Sequence, residues 1–445
     1  MRQWMVAAKK ADFYAIAEKF HVDPVVARII RNREVIGEKN IRIYLGGNLS
    51  DLSDPHQMKD MDRLVEILVQ KIRKQVRIRI IGDYDVDGVT SSHLFLTALR
   101  RVGAKVDVVI PHRIQDGYGL SLHLLQQAKE DGVDTILTCD NGIAAIDEIA
   151  WAKAQKMTVL VTDHHAVPFE EHEGRRTEKK SLADAVVNPH QQDCGYPYKE
   201  LCGAGVAWNV IRVLYENYDM DKREAEDLLD FVAMATVCDV MSLTGENRIL
   251  VKEGLKRIRH TKNIGLQALM QACNVQPENI SAYHFGYVLG PCVNATGRLD
   301  TARHALRLFE TGQETEAEEI ARDLVDLNQE RKELTLQGVE MAKKLCEEGG
   351  YENDPVLVLF LPDVHESIAG LIAGRIREMY NRPVFVLTRG EEGVKGSGRS
   401  TENYSMYENM CGCAELFTKF GGHPMAAGLS LSLIHISEPT RQEAI

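Results

Sequence analysis

Val76-Arg77-Ile78-Arg79-Ile80-Ile81 runs directly into Gly82-Asp83-Tyr84-Asp85-Val86-Asp87-Gly88, and apolar residues return at helical spacing over Ser91–Arg101. A short run rich in β-branched residues reads as a strand, the acidic Gly-flanked stretch as a loop, and the segment beyond as a helix. The same unit recurs downstream. Short apolar runs fall at Val106–Ile110, Thr135–Thr138, Thr158–Thr162 and Ala185–Val187, with helical patterns over Ser121–Lys129 and Ala144–Lys156 between them. This alternation predicts an α/β fold with a mostly parallel, doubly wound sheet, placed at residues 51–220. Such sheets bind their ligands at the carboxyl ends of the strands.

Outside that region the pattern changes. Residues 1–50 read as an N-terminal helical extension, and residues 221–348 as a helical region. The Glu-rich stretches Glu314–Asp326 and Gln329–Glu348 have no internal Pro, and Gly338 is their only Gly. They predict a long exposed helix connecting two lobes, the Glu run being its solvated face. After Gly349-Gly350, a strand (Val356–Leu361), a helix (Ser367–Tyr380), a second strand (Pro383–Leu387) and the Gly-rich Gly396–Ser400 predict a second, smaller α/β domain at 349–430. Residues 431–445 resemble the in-frame translation of a transposase-type sequencing adapter followed by an index and are expected to be non-native, with native domains after Ser430 expected to be missing.

Composition narrows the class. Of 445 residues, 44% are hydrophobic and 27% charged, which excludes wholesale disorder. No apolar run approaches the ~18 residues of a membrane span, and Met1-Arg2-Gln3-Trp4 does not begin a signal peptide. The nine cysteines include no Cys-x-x-Cys pair, so reduced thiols and a cytoplasmic setting are expected. A formal net charge of −12 argues against a chain that coats DNA through bulk charge, but not against a nucleic-acid enzyme whose excess carboxylates are neutralised by cations.

The carboxylates carry the chemistry. Asp83, Asp85 and Asp87 follow the first strand, Asp140 follows the strand ending at Cys139, and Asp163-His164-His165 follows the strand ending at Thr162. In a parallel sheet these ends converge. Packed carboxylates repel unless cations neutralise them, and carboxylates with one or two imidazoles suit Mn²⁺ or Mg²⁺. Two such ions could activate a water and stabilise the leaving oxygen of a phosphate ester. The competing reading makes Asp83 and Asp85 caps of the next helix and the histidines surface residues. Acidic groups at three separate strand ends favour the metal reading.

Taken together, Gly-Asp-Tyr-Asp-Val-Asp-Gly, the isolated Asp140 and Asp-His-His resemble the DHH phosphoesterase superfamily. Pro111–Leu120, Val186–His190, Leu201–Trp208, Val237–Arg248, Asn294–Leu299 and Gly421–Gly428 resemble motifs of the RecJ-type single-strand-specific exonucleases, over roughly Asp51 to Ser430. The resemblance implies that Asp85, Asp87, Asp140, His164 and Asp239 ligate two divalent ions, Mn²⁺ or Mg²⁺, with Asp140 as the bridge. It makes Asp83 a ligand or a supporting carboxylate and has His165 face the scissile phosphate as charge stabiliser or acid. In the second lobe, similar to the DHH-associated domain, Ser397 and Arg399 with Gly421, Gly422 and His423 would bind substrate phosphates. Glycines let backbone N–H groups approach an anion, and Arg offers a bidentate fork. Arg113, Asn294 and Arg298 would contact the strand or its 5′ end; each has a competing reading as a salt bridge or loop clamp.

The resemblance further implies a 5′→3′ exonuclease that releases 5′-mononucleotides from single-stranded DNA in repair and recombination, with a channel between the lobes too narrow for duplex. A single-strand-binding protein or helicase is the implied protein partner. Two positions depart from the family pattern. Ile81 stands where some superfamily members have a histidine ligand, which shifts reliance to Asp83 or water, and Val364 stands where an aromatic residue is common. Two alternatives remain open from sequence: a phosphoesterase for short oligonucleotides or cyclic dinucleotides, and a non-catalytic scaffold with vestigial carboxylates.

Overall fold

The structure, a computed structural model, describes residues 10–431 except 114, 115, 118, 173, 174, 352, 353, 391 and 392. Ile114, Gln115 and Tyr118 of the Pro111–Leu120 motif, and residues 432–445 of the expected adapter-derived tail, therefore lie outside the described residues. The chain divides into two compact units, meeting in sequence at Val325 and Asp326.

In the first unit, three short helices, α1 (Phe13–Phe20), α2 (Pro24–Asn32) and α3 (Glu38–Gly46), precede α4 (Met61–Arg73). Asp12 and Asp23 cap the first two by accepting backbone N–H bonds. Five strands then form one sheet: β1 (Arg77–Ile81), β2 (Lys105–Val109), β3 (Thr135–Cys139), β4 (Thr158–Thr162) and, beyond a hairpin of β5 (Phe169–His172) and β6 (Arg175–Glu178), β7 (Ala185–Val187). Their order is β2-β1-β3-β4-β7 and every pairing is parallel. The strand order reverses between β1 and β3, so the crevice expected to receive a ligand opens there.

Helices α5 (Val86–Arg101), α6 (Leu122–Glu130) and α7 (Ile146–Ala154) connect the strands. After the sheet come α8 (Gly203–Glu216), α9 (Lys222–Glu226), α10 (Leu229–Cys238), α11 (Gly245–Arg257) and α12 (Ile264–Ala272). A single turn α13 (Ala282–His284) leads through a π turn (Phe285–Leu289) into α14 (Gly290–Leu299), followed by α15 (Ala302–Glu310). Helix α10 is apolar all round apart from Asp230 and Thr236, and residues 229–236 are all buried, as expected of a helix enclosed by others. Leu94, Phe95 and Leu99 of α5 are fully enclosed in the same core; each such side chain contributes about 1.5–3 kcal/mol.

The two Glu-rich stretches form one continuous helix, α16 (Glu314–Glu348). It is less exposed than its composition suggests. Ala317, Ile320, Ala321 and Leu324 belong to the first unit's core, and Val339, Ala342 and Cys346 to the second's.

The second unit contains β8 (Leu357–Phe360), α17 (Glu366–Tyr380), β9 (Val384–Gly390), β10 (Gly393–Arg399), α18 (Met406–Cys411), β11 (Lys419–His423) and β12 (Ala426–Leu431). The sheet order is β11-β12-β10-β9-β8; only the β8–β9 pairing is parallel. Gly396–Ser400, read from sequence as a Gly-rich segment, lies mostly within the central strand β10. Val364 is buried in the core that α17 covers, so an aliphatic side chain fills that position.

Candidate metal centre

Residues from four separate segments meet at the carboxyl ends of β1, β3 and β4. One ligand atom from each member of three overlapping groups lies within 4.8 Å of the others: Asp83, Asp85 and Asp140; Asp87, His164 and Asp239; Asp140, His164 and His165. His164 Nε2 is 3.0 Å from Asp140 Oδ1 and 3.6 Å from both Asp87 Oδ2 and Asp239 Oδ2. All six residues assigned to ligation or its support, Asp83, Asp85, Asp87, Asp140, His164 and Asp239, are thus in one cluster.

The backbone explains how each arrives. Asp85 is the N-cap of α5 and accepts a 3.0 Å bond from Gly88 N–H, so the helix-cap reading and membership of the cluster hold together. Asp87, in the first turn of α5, is almost fully enclosed and accepts bonds from Gly203 N–H (2.5 Å) and Ala204 N–H (2.8 Å) at the start of α8. Those amides are the unsatisfied donors of a helix N-terminus. Asp140 adopts a left-handed conformation (φ +60°), which Asp tolerates better than most residues. Asn141 secures that turn by donating to Ile81 O (3.0 Å) and Cys139 O (2.9 Å), tying the ends of β1 and β3 together. Asp239 is the residue at which α10 ends, so a largely apolar helix delivers one carboxylate to the site from outside the sheet.

Gly203 leaves the room this requires. A Cβ there would lie 2.7 Å from Asp140 Cβ and 2.9 Å from Asp140 Oδ1, closer than real side chains approach. Gly297 of α14 does the same for the acidic loop, since a Cβ there would sit 2.3 Å from Tyr84 O.

Electrostatics give a consistent picture. Burial, followed by the charge of neighbouring carboxylates, raises the affinity of Asp83 and Asp140 for protons well above the ordinary range. Burial also raises Asp87, and with Asp87 and Asp85 beside it brings Asp239 to about 8. Burial lowers His164, which leaves a neutral imidazole with a nitrogen lone pair to offer. Asp83 Oδ1, His164 Nε2 and Asp239 Oδ2 are buried with no hydrogen-bond partner among the described residues. Acceptors facing acceptors in a low-dielectric pocket are costly unless a cation stands among them. The donor set of carboxylates and one imidazole fits hard or borderline divalent ions such as Mn²⁺ or Mg²⁺.

Asp163 plays a different part from its neighbours and was not among the expected site residues. Its Oδ1 accepts from His164 N–H (2.7 Å), His165 N–H (3.1 Å) and His165 Nδ1 (2.8 Å), and its Oδ2 from Ile143 N–H (2.9 Å). It positions the two histidines. Burial opposes charging of His165, but the bond to Asp163 and the surrounding carboxylates outweigh it and raise His165 to about 9. Asn188, in the Val186–His190 motif, donates to His165 O at 2.9 Å and fixes the same loop. The sequence cue for Asp163 was its place at the head of Asp-His-His; its role depends on contacts that no spacing shows.

Of the proposed strand contacts, Asn294 is a loop clamp: its Oδ1 accepts from Val86 N–H at 3.2 Å. Arg113 places its guanidinium 4.5 Å from the centre of the Tyr84 ring and its charge favours ionised Asp83. Arg298 also acts electrostatically on Tyr84, so both cations border the acidic loop.

The second unit presents its own set. Strand register aligns Ser397 with Gly428 and Gly421, and Arg399 with Ala426 and His423. Pairs directly opposite share a face, as do residues two apart. Ser397, Arg399, Gly421 and His423 therefore share one face. A Cβ on Gly370 of α17 would lie 2.8 Å from Arg399 Nη2 and 3.4 Å from Ser397 Cβ, which places α17 over this face beside them. Gly422 occupies the alternate row with Ala427 and Gly398, whose side packs toward Met406, so it can offer only its backbone.

Comparison with known proteins agrees with this geometry. Residues 77–236 match the DHH family, N-terminal domain, and residues 353–443 match the DHHA1 domain. The chain is 36% identical to the single-stranded-DNA-specific exonuclease RecJ of Haemophilus influenzae over 93% of its own length and 73% of that protein. It is 34% identical to the Bacillus subtilis protein of the same name, over 94% of its length and 51% of that protein. The crystal structure of RecJ in complex with Mn²⁺ from Thermus thermophilus superimposes with a TM-score of 0.78 at 29% identity, covering 94% of this chain and 58% of that one.

Proposed function

This chain belongs to the RecJ family, and on that premise we propose that it is a metal-dependent exonuclease hydrolysing single-stranded DNA from the 5′ end and releasing 5′-mononucleotides. The observation that carries the reading is the sharing of Asp140 and His164 between overlapping ligand groups. Shared ligands are what a closely spaced pair of ions needs. Asp83, Asp85, Asp87, Asp140, His164 and Asp239 would hold two ions, Mn²⁺ or Mg²⁺, with Asp140 between them. When bound, such a pair supplies an activated water and offsets charge on the phosphate oxygens.

The chain's own groups do the rest. His165 holds a proton at Nδ1, donated to Asp163 Oδ1, and its other ring nitrogen would donate to a phosphate oxygen. Asp163 keeps that ring oriented and charged. In the second unit, Ser397, Arg399, Gly421 and His423 form the surface assigned to substrate phosphate, with Gly422 contributing backbone; Arg113 and Arg298 supply positive charge at the acidic loop. Asn294 supports the loop. A role in DNA repair and recombination, a cytoplasmic setting, and a single-strand-binding protein or helicase as partner follow the same family reading. Among the described residues, no helix is long and apolar enough to cross a membrane.

A directional digestion assay tests the proposal. Single-stranded DNA labelled at either end is incubated with Mn²⁺, Mg²⁺ or chelator. Release of labelled mononucleotide first from the 5′ end, abolished by chelator, is expected. Hydrolysis of dinucleotides with no attack on the long strand would transfer the site to the small-substrate phosphoesterase class.

A further inference from the structure

We propose that Tyr283 and Tyr287 form a base-stacking platform for single-stranded nucleic acid beside the metal centre, a contact that rests on the nuclease reading above. The two side chains are 62% and 73% exposed, yet ordered against each other: their rings stack at 5.2 Å between centroids with 24° between planes. Tyr283 also meets the His284 ring edge-on at 5.7 Å. Large aromatic rings on a protein surface cost solvation unless something covers them, and mutual stacking leaves outward faces open.

Position decides what would cover them. The π turn carrying Tyr287 packs on the end of α10: Cys238 Sγ donates to Phe285 O at 3.3 Å, and a Cβ on Gly286 would touch Val237 Cγ1 at 3.4 Å. The next residue along α10 is the ligand Asp239, and after it Val240 turns outward, 87% exposed at φ +58°. In the other direction the same segment continues into α14, whose Asn294 and Gly297 brace the acidic loop. The tyrosines therefore stand on the element that joins two walls of the metal site. π turns within helices recur at functional sites.

Charge favours bases over phosphates as the group held here. The open faces at this platform are uncharged aromatic rings, and the cations named above, Arg113 and Arg298, border the acidic loop instead, so what the platform offers a strand is contact with its bases. Stacking on aromatic rings provides it and tolerates any base sequence.

The test uses the full chain with Mn²⁺ and 5′-labelled single-stranded oligonucleotides, intact or carrying abasic positions near the 5′ end. Tyr283→Ala/Tyr287→Ala should raise KM for the intact strand about 5- to 100-fold, the loss falling in KM rather than kcat. Tyr287→Phe should retain the wild-type KM. Abasic positions should raise the KM of the wild type and add nothing to the double variant. Unchanged KM in the double variant of a protein that digests single strands, or a loss confined to kcat, overturns the platform and leaves the nuclease reading standing. A wild type that binds Mn²⁺ but leaves single strands intact overturns the nuclease reading, and the platform with it.

Discussion

His164 Nε2 lies 3.0 Å from Asp140 Oδ1, although the two residues follow different strands and each is enclosed by protein. Neither group alone makes a site. Their contact gives the two ligand groups on either side a common edge.

Asp140→Asn separates catalysis from folding. The amide keeps the shape and tolerates the left-handed backbone, but removes one charge from a cluster in which burial and four carboxylate neighbours already disfavour ionisation. Nucleotide release with Mn²⁺ should fall at least about 100-fold. The metal-free melting temperature should rise by a few degrees, whereas saturating Mn²⁺ should stabilise the wild type more than the variant. Calorimetry with and without chelator measures both; a variant less stable than wild type in chelator contradicts the repulsion argument.

Gly203→Ala inserts a methyl group 2.7 Å from Asp140 Cβ. One of them must move. Overpacking of this kind costs about 1–3 kcal/mol, and displacement of Asp140 should weaken Mn²⁺ affinity about 10-fold or more. Isothermal titration with Mn²⁺ reads the second effect, and wild-type affinity would mean that α8 yields instead.

His93 gives the first unit a pH dependence independent of the metal ligands. It is buried against Phe231, with ring centroids 4.4 Å apart, and burial, aided by Arg100, lowers it to about 3. Its folded value lies below the unfolded one, so this contribution is complete above about pH 6.5 and is lost as pH falls toward 3. The full span is on the order of 5 kcal/mol. Asp230 opposes it: burial raises its carboxyl to about 6, so it adds stability as pH falls from about 6 toward 4. Between pH 6.5 and 4, His93→Gln should therefore lose less stability than the wild type, or gain some. Parallel pH–stability curves for the two proteins would refute the assignment.

Arg399→Ala probes the second unit. Loss of a guanidinium from the face shared with Ser397 and His423 should raise KM for a 5′-phosphorylated oligonucleotide about 10-fold or more. Mn²⁺ affinity measured by titration should not change. An unaltered KM would remove this face from substrate binding.

The sequence was most informative where structure is local. Strand–helix alternation identified the five strands of the parallel sheet within one or two residues, because burial on both faces leaves continuous apolar runs. It also placed the acidic residues at the strand ends. It said less about α16, where Glu-rich composition concealed two apolar stretches, and about Gly396–Ser400, where glycines in a central strand look like a turn.

What the chain determined alone, then, was which carboxylates would stand at one edge of a sheet, because periodicity and chain direction settle that locally. Only the tertiary structure decided how they are completed. Asp87 meets amides 116 and 117 residues away, Val86 meets an asparagine 208 residues away, and Asp239 enters from the end of an enclosed helix. Helix packing is driven by apolar burial, which has no direction along the sequence, so no spacing in the chain records which polar groups it brings together.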